Sequence, residues 1–214
     1  MDIESLLAEI TKINYLAVPR KHTISKQIET TAVKTADTWL VPCSHILYSP
    51  ITQRQAAELN HGLNKELPKE LQDLLAVTNG ADLFRIKYES PQLGDYWIAR
   101  YKILNHSELL QVNLELLDTF LSYAELDADY RGESLTLNYL AFCDVGDGNY
   151  LAIVTESASQ GQIFYLDHDY AYYPFGTHYT RGVYFPVAYS LTEWLEILSL
   201  TNGSASIGKL FIPL

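Results

Sequence analysis

The sequence predicts an α+β fold, a twisted and mostly antiparallel sheet packed against helices. Helical patterns come first, then a run of short strands joined in sequence by turn signals, then a closing helix. The turn Asp144-Val-Gly-Asp-Gly-Asn149 lies between two apolar runs, where Asp bonds its local backbone and Gly takes positive φ. No internal repeat, low-complexity tract or flexible linker interrupts this order.

The elements follow from local signals. Leu6, Leu7, Ile10 and Ile13 share one helical face between Ser5 and Ile13, and Pro19 is expected to close that segment. Ile24 to Val41 is Thr-rich and β-branched, ends in Trp39-Leu-Val-Pro42, and reads ambiguously, with extended chain as one option. Ser49-Pro50 offers a cap and a first-turn proline to a helix carrying Ala56, Ala57, Leu59 and Leu63. A second helix from Leu67 to Thr78 has Pro68 for its first position and Asn79-Gly80 for its end. Leu83 to Tyr88 and Tyr96 to Leu104 alternate as strands, with Pro91-Gln-Leu-Gly94 as the turn between them. Asn105 and Glu108 make a capping box for a helix whose leucines, with Val112 and Phe120, cover much of its circumference, so burial is expected. Gly132 ends that pattern. Strands are expected at Leu137 to Cys143, Tyr150 to Thr155 and Gln162 to Leu166, with an edge strand at Pro186 to Ala188. Ser190 and Glu193 make a second box, opening a helix that runs to Asn202-Gly203.

At 214 residues, with 48% hydrophobic and 19% charged, the chain has the composition of one well-packed globular domain. No apolar run reaches the roughly 18 to 20 residues of a membrane helix. The start, Met1-Asp-Ile-Glu-Ser-Leu-Leu-Ala-Glu9, is acidic and amphipathic, without the basic and apolar regions of a secretion signal. Cys43 and Cys143 stand far apart and outside metal or redox spacing. A cytoplasmic, reduced protein is the expectation.

The formal charge of −11 is unevenly placed: residues 105 to 169 hold 12 acids against one base, Arg131, while the flanking segments balance. Solvated helix and loop faces are the bland explanation; an acidic field that steers a basic partner is the sharper one. Nucleic acid is disfavoured as a direct ligand, because phosphate recognition needs clustered Lys and Arg. Sixteen tyrosines add to this, and Tyr165, Tyr170, Tyr172, Tyr173, Tyr179, Tyr184 and Tyr189 crowd together beside Phe164, Phe175 and Phe185. They suit half-buried strands equally with an interface, where tyrosine combines area with a polar tip.

Catalytic signatures are missing. Counted from Asp144, position 3 of a calcium loop is Gly146 and position 12 is Thr155, so the ligands do not fit. Asp167-His168-Asp169 leaves a strand with only His178 nearby as a further metal ligand. His22, His45, His61 and His106 form no motif. Ser206-Ile-Gly-Lys209 matches the Ser-x-x-Lys of penicillin-recognising enzymes but lacks its partner motifs. There is no nucleophile elbow, phosphate loop, dinucleotide fingerprint or zinc spacing.

The helix Leu67-Pro-Lys-Glu-Leu-Gln-Asp-Leu-Leu-Ala-Val-Thr-Asn-Gly80, followed downstream by Leu140-Ala-Phe-Cys-Asp-Val-Gly-Asp-Gly-Asn-Tyr-Leu151, resembles the SUKH superfamily over about Ser49 to Leu200. That family contains many bacterial immunity proteins against secreted toxins and a fungal regulator of cell-wall synthesis. The resemblance implies a SUKH-like domain over residues 46–214, preceded by an N-terminal extension, residues 1–45, packed on it. It implies a non-catalytic protein-binding module with no cofactor, foremost an immunity protein whose protein partner is a basic toxin domain such as a nuclease. The partner-binding residues expected are Asp127, Asp129, Glu133, Asp147, Glu156, Asp167 and Asp169 with Tyr170, Tyr172 and Tyr173. A regulatory or scaffold protein of cell-wall or signalling pathways is the alternative. A metal-assisted enzyme built on Asp144, Asp147, Asp167, His168 and Asp169 is a third reading.

Overall fold

The computed structural model describes residues 1–20, 26–90, 94–126, 139–146, 148–156, 159–166 and 185–204. In chain order these form α1 (Ile3–Ile10), β1 (Tyr15–Pro19), α2 (Lys26–Thr31), β2 (Val33–Lys34), β3 (Thr38–Pro42), β4 (Ser44–Leu47), α3 (Gln53–Leu63) and α4 (Lys69–Val77). They continue as β5 (Ala81–Ser90), β6 (Gly94–Ile103), α5 (His106–Leu126), β7 (Tyr139–Gly146), β8 (Asn149–Val154), β9 (Ile163–Leu166), β10 (Phe185–Ala188) and α6 (Leu191–Leu200). The α+β reading holds. A seven-stranded antiparallel sheet has the order β10-β9-β8-β7-β6-β5-β4, so every strand lies beside its neighbours in sequence. A second, three-stranded sheet has the order β1-β3-β2. The chain passes from the small sheet to the large one across Cys43 alone.

Alternation along β7 divides the core between two layers of helices. Leu140 and Phe142 join the cluster that holds α1, α4 and α6, while Tyr139 and Ala141 pack with Val112 and Leu116 of α5. On the first side the Trp194 ring stands edge-on to Tyr101 at 5.8 Å and to Phe142 at 5.5 Å. Ile3, Leu6, Leu7 and Ile10 put the whole apolar face of α1 into the same buried cluster. On the second side α3 lies against α5 so closely that a Cβ on Gly62 would meet Leu110 Cδ1 at 2.7 Å.

Four local expectations shift. Pro19 ends strand β1, not a helix; α1 stops at Ile10 because Tyr15 to Pro19 pair with Pro42 to Thr38, a contact no local window contains. Helix α3 is capped by Thr52, which forms a full capping box with Gln55, and Ser49 instead accepts the Asn79 N–H on its carbonyl at 3.1 Å. Pro68 occupies the cap of α4, one residue before its first turn. In α5 Leu114 is exposed and Asn113 is buried. The Asn113 amide donates to the Ala141 carbonyl at 2.8 Å and accepts from its N–H at 2.9 Å, beside the bulge in β7. A polar side chain sits inside this helix because a strand backbone there needs a partner.

The end of α6 that meets α4 carries a long-range tie. Ser190 accepts from Glu193 N–H at 3.0 Å, but the Glu193 carboxylate reaches the Tyr189 N–H at 2.6 Å, one residue earlier than a capping box would place it. Glu70, in the first turn of α4, accepts from Leu191 N–H at 2.9 Å and from the Thr192 hydroxyl at 2.6 Å. One carboxylate thus bonds the N-terminus of α6 while placing negative charge in the first turn of α4. Glu70→Ala is expected to lower unfolding free energy by about 1–3 kcal/mol, the range for losing a hydrogen-bonded charge, with Glu70→Gln recovering part of it in urea titrations. An Ala variant as stable as the parent would show that this tie contributes nothing net.

Candidate protein-binding surface

The two stretches that carry most of the sequence signal meet in space. Gly80 has φ +94°, and a Cβ there would lie 3.0 Å from the Ile103 carbonyl and from the Asn105 nitrogen. Ile103 is paired with Cys143, and Lys102 with Asp144, so the Asn79-Gly80 corner and the Asp144 turn flank the same end of β6. Buried Thr78 closes the joint: its hydroxyl accepts from Tyr48 N–H at 3.0 Å and lies against the carbonyls of Tyr48 and Gly80. Asn79 accepts the His106 N–H at 2.8 Å on its side-chain oxygen and faces the His106 ring at 3.1 Å with its amide nitrogen. The capping box of α5 is present, with Asn105 accepting from Glu108 N–H at 3.1 Å and Glu108 accepting from Asn105 N–H at 3.1 Å.

Charge runs across the strands above this joint. Register aligns Asp82, Lys102 and Asp144 on three successive strands. Lys102 Nζ also lies 2.6 Å from Glu108, and this carboxylate above all raises the lysine's proton affinity, with Asp82 and Asp144 adding to it. The Tyr48 hydroxyl donates to Asp82 at 3.1 Å; burial first, then the Asp82 charge, pushes that phenol upward. Asp144 spends one oxygen on its own turn, accepting from Gly146 N–H at 2.7 Å.

Of the ten residues expected at the interface, Glu156 falls among the described ones, exposed at the end of β8. Asp127, Asp129, Glu133, Asp147, Asp167, Asp169, Tyr170, Tyr172 and Tyr173 lie outside the described residues, as do His168 and His178. Among the described residues no group of three or more His, Cys, Asp or Glu is placed to hold a metal ion. Glu156 acts electrostatically on Lys65, whose proton affinity burial lowers. Glu108 and Asp144 face Lys102. Three acids of the central segment therefore have cationic neighbours from the first half of the chain, a neutralisation that counting charges by segment misses. From the tyrosine run, Tyr165 packs partly buried against the core, while Tyr189 is 80% exposed just before α6. Both thiols are kept protonated by burial, Cys43 pushed up to about 11 and Cys143 well above its ordinary value, opposite to what a nucleophilic cysteine needs. No helix of the described residues is long and apolar enough to cross a membrane.

Comparison with known proteins gives one family. The sequence profile of the SMI1/KNR4 family (SUKH-1) matches residues 50–197, more than half of the chain. No curated protein matches.

Both motif stretches fall inside the matched residues, and the geometry gives them a structural job: a backbone corner, a helix cap and a strand turn locked together. Gly80→Ala forces a positive-φ backbone and two tight backbone contacts at once, and neither neighbour is a flexible side chain. It is expected to cost about 2 kcal/mol or more, seen as a fall in denaturant midpoint without a change in slope. Gly146→Ala, also at φ +94° but with nothing within 4 Å, is expected to cost less. Equal costs would mean that the left-handed backbone, not the close approach, limits position 80.

Proposed function

The chain belongs to the SMI1/KNR4 family (SUKH-1), and on that premise we propose that it is a non-catalytic protein-binding module, an immunity protein that neutralises a cognate toxin. The observation that supports this reading most is the placement of charge. The acidic surplus is concentrated in residues 105–169, and where its members are described, Glu108, Asp144 and Glu156 already have cationic neighbours. This reading assigns to an external partner the acids Asp127, Asp129, Glu133, Asp147, Glu156, Asp167 and Asp169. A basic toxin domain, such as a nuclease shaped for phosphate, has the complementary surface, and complementary fields raise association rates strongly. The adjoining Tyr170, Tyr172 and Tyr173 supply the apolar anchors that charge alone lacks.

The partner to test is a toxin encoded beside this chain. Its affinity is expected to fall steeply as salt rises, because exposed charges farther apart than about 10 Å are screened at 0.1 M. Tyr172→Ala with Tyr173→Ala is expected to weaken binding by tens-fold through faster dissociation, since a desolvated aromatic anchor contributes about 2 kcal/mol or more. Asp167→Lys with Asp169→Lys is expected to slow association instead. An affinity indifferent to salt and to both variant pairs would remove this surface. Recovery of a signalling or cell-wall factor from native extract, with no toxin, would favour a regulatory role.

A further inference from the structure

Among the described residues, His45 is the histidine whose two ring nitrogens bridge two separate stretches of backbone. Nε2 lies 2.9 Å from the Ile13 carbonyl, in the connection between α1 and β1. Nδ1 lies 3.2 Å from the backbone nitrogen of Phe84 in β5 and accepts its N–H. A carbonyl can only accept and an N–H can only donate, so the ring carries its proton on Nε2 and is neutral.

The backbone explains why a ring is needed there. Between β4 and β5 the pairs Ser44↔Arg85 and Ile46↔Asp82 set two steps against three, so β5 bulges. Phe84 sits in that bulge at φ +53°, a left-handed backbone that is rare for a bulky aromatic, with its ring fully buried. Its N–H turns away from the strand ladder, and the His45 ring takes it. The two rings meet edge-on at 4.7 Å, and a Cβ on Gly203 would touch the far side of Phe84 at 2.8 Å. The seam continues beside the histidine, where Cys43 N–H donates to the Asn14 carbonyl at 2.9 Å.

We propose that His45 is an acid-release latch, whose protonation opens the seam between the α1–β1 connection and the bulged edge of the large sheet. An imidazolium presents N–H on both nitrogens, so Nδ1–H would oppose the Phe84 N–H, donor against donor. Among the described residues no charge offsets this. The ionisable groups within two residues of Ile13, His45 or Phe84 are Lys12, paired to Glu9 at 2.7 Å; Tyr15, which is exposed; Cys43, a neutral thiol; and Asp82 with Arg85, 3.7 Å from each other. Burial lowers the ring's proton affinity below its ordinary 6.5, opposed by the Ile13 carbonyl. A depressed pKa fixes the sign: the latch contributes fully above pH 6.5, where both folded and unfolded rings are neutral, and is lost as pH falls through the folded value.

Hydrogen exchange on the full chain tests this, with intrinsic rates corrected for pH. Protection of the Phe84 amide is expected to fall at least about fivefold as His45 titrates, the equivalent of one ordinary hydrogen bond. Protection of Leu140 and Ile153, in the sheet interior, is expected to hold. In His45→Gln, which can donate and accept but does not titrate here, the pH dependence at Phe84 is expected to vanish. Nitrogen chemical shifts of the unmodified protein give a reading independent of whether that variant folds. They should report an Nε2–H tautomer that titrates below 6.5. A titration at or above 6.5, an Nδ1–H tautomer, unchanged Phe84 protection on protonation, or equal loss across the whole sheet would each overturn the latch.

Discussion

The close approach of Gly80 to the end of β6 is the constraint on which the rest of the arrangement depends. Helix α4 has to stop, turn and start β5 within three residues, and it does so against backbone rather than side chains. Only a residue without Cβ permits that distance at positive φ. Once the corner is made, Thr78 fixes the entry from Tyr48, Asn79 fixes the first turn of α5, and Lys102 and Ile103 are held in register with β7. The joint thereby sets the angle between α4 on one side of the sheet and α5 on the other. Glu70 then connects α4 to α6, so the corner and the carboxylate together align three helices on one sheet.

Much of this was legible in the sequence, and the reason is local. The α5 capping box, the Asn-Gly corner, the Asp144 turn and the sequential strands are each specified within a few residues by hydrogen-bonding groups or by backbone freedom. A meander also asks little of long-range inference, since neighbours in sequence are neighbours in the sheet. What was not legible depends on partners far away in the chain. Strand β1 exists because β3 pairs with it, Asn113 is buried because β7 bulges at Ala141, and the first N–H groups of α6 are bonded by Glu70 from far back in the chain. His45 had no motif at all. Its role comes from a bulge in the next strand, 39 residues on, and a positive φ at Phe84 has no signature in an ordinary Leu-Phe-Arg run.

The candidate surface was legible in a different and weaker sense. Charge counted along the chain locates an acidic segment correctly, but it cannot see that Lys65 and Lys102 fold back onto Glu156, Glu108 and Asp144. Composition therefore overstates how much of that segment faces outward unneutralised. The same holds for aromatics: the two ends of one tyrosine-rich run finish as differently as Tyr165, tucked against the core, and Tyr189, standing in solvent. Periodicity sorts such residues inside a strand. Outside a strand only the fold does.

The order in which the core closes has a consequence for how the chain is made. The large sheet is assembled from neighbours and is able to pair as it leaves the ribosome, since such contacts require little loop closure. Its helical cover on the α1 and α4 side is different: the Trp194 ring that lies on Tyr101 and Phe142 belongs to the last described helix. Gly203 seats Phe84, and the Asn202 carbonyl accepts the Ala17 N–H at 3.1 Å, later still. Until α6 has emerged, then, the Tyr101 and Phe142 side of the paired strands lacks the ring that covers it. Transiently exposed apolar surface of this kind is prone to aggregate, and α6 is the element that ends the exposure by seating Trp194.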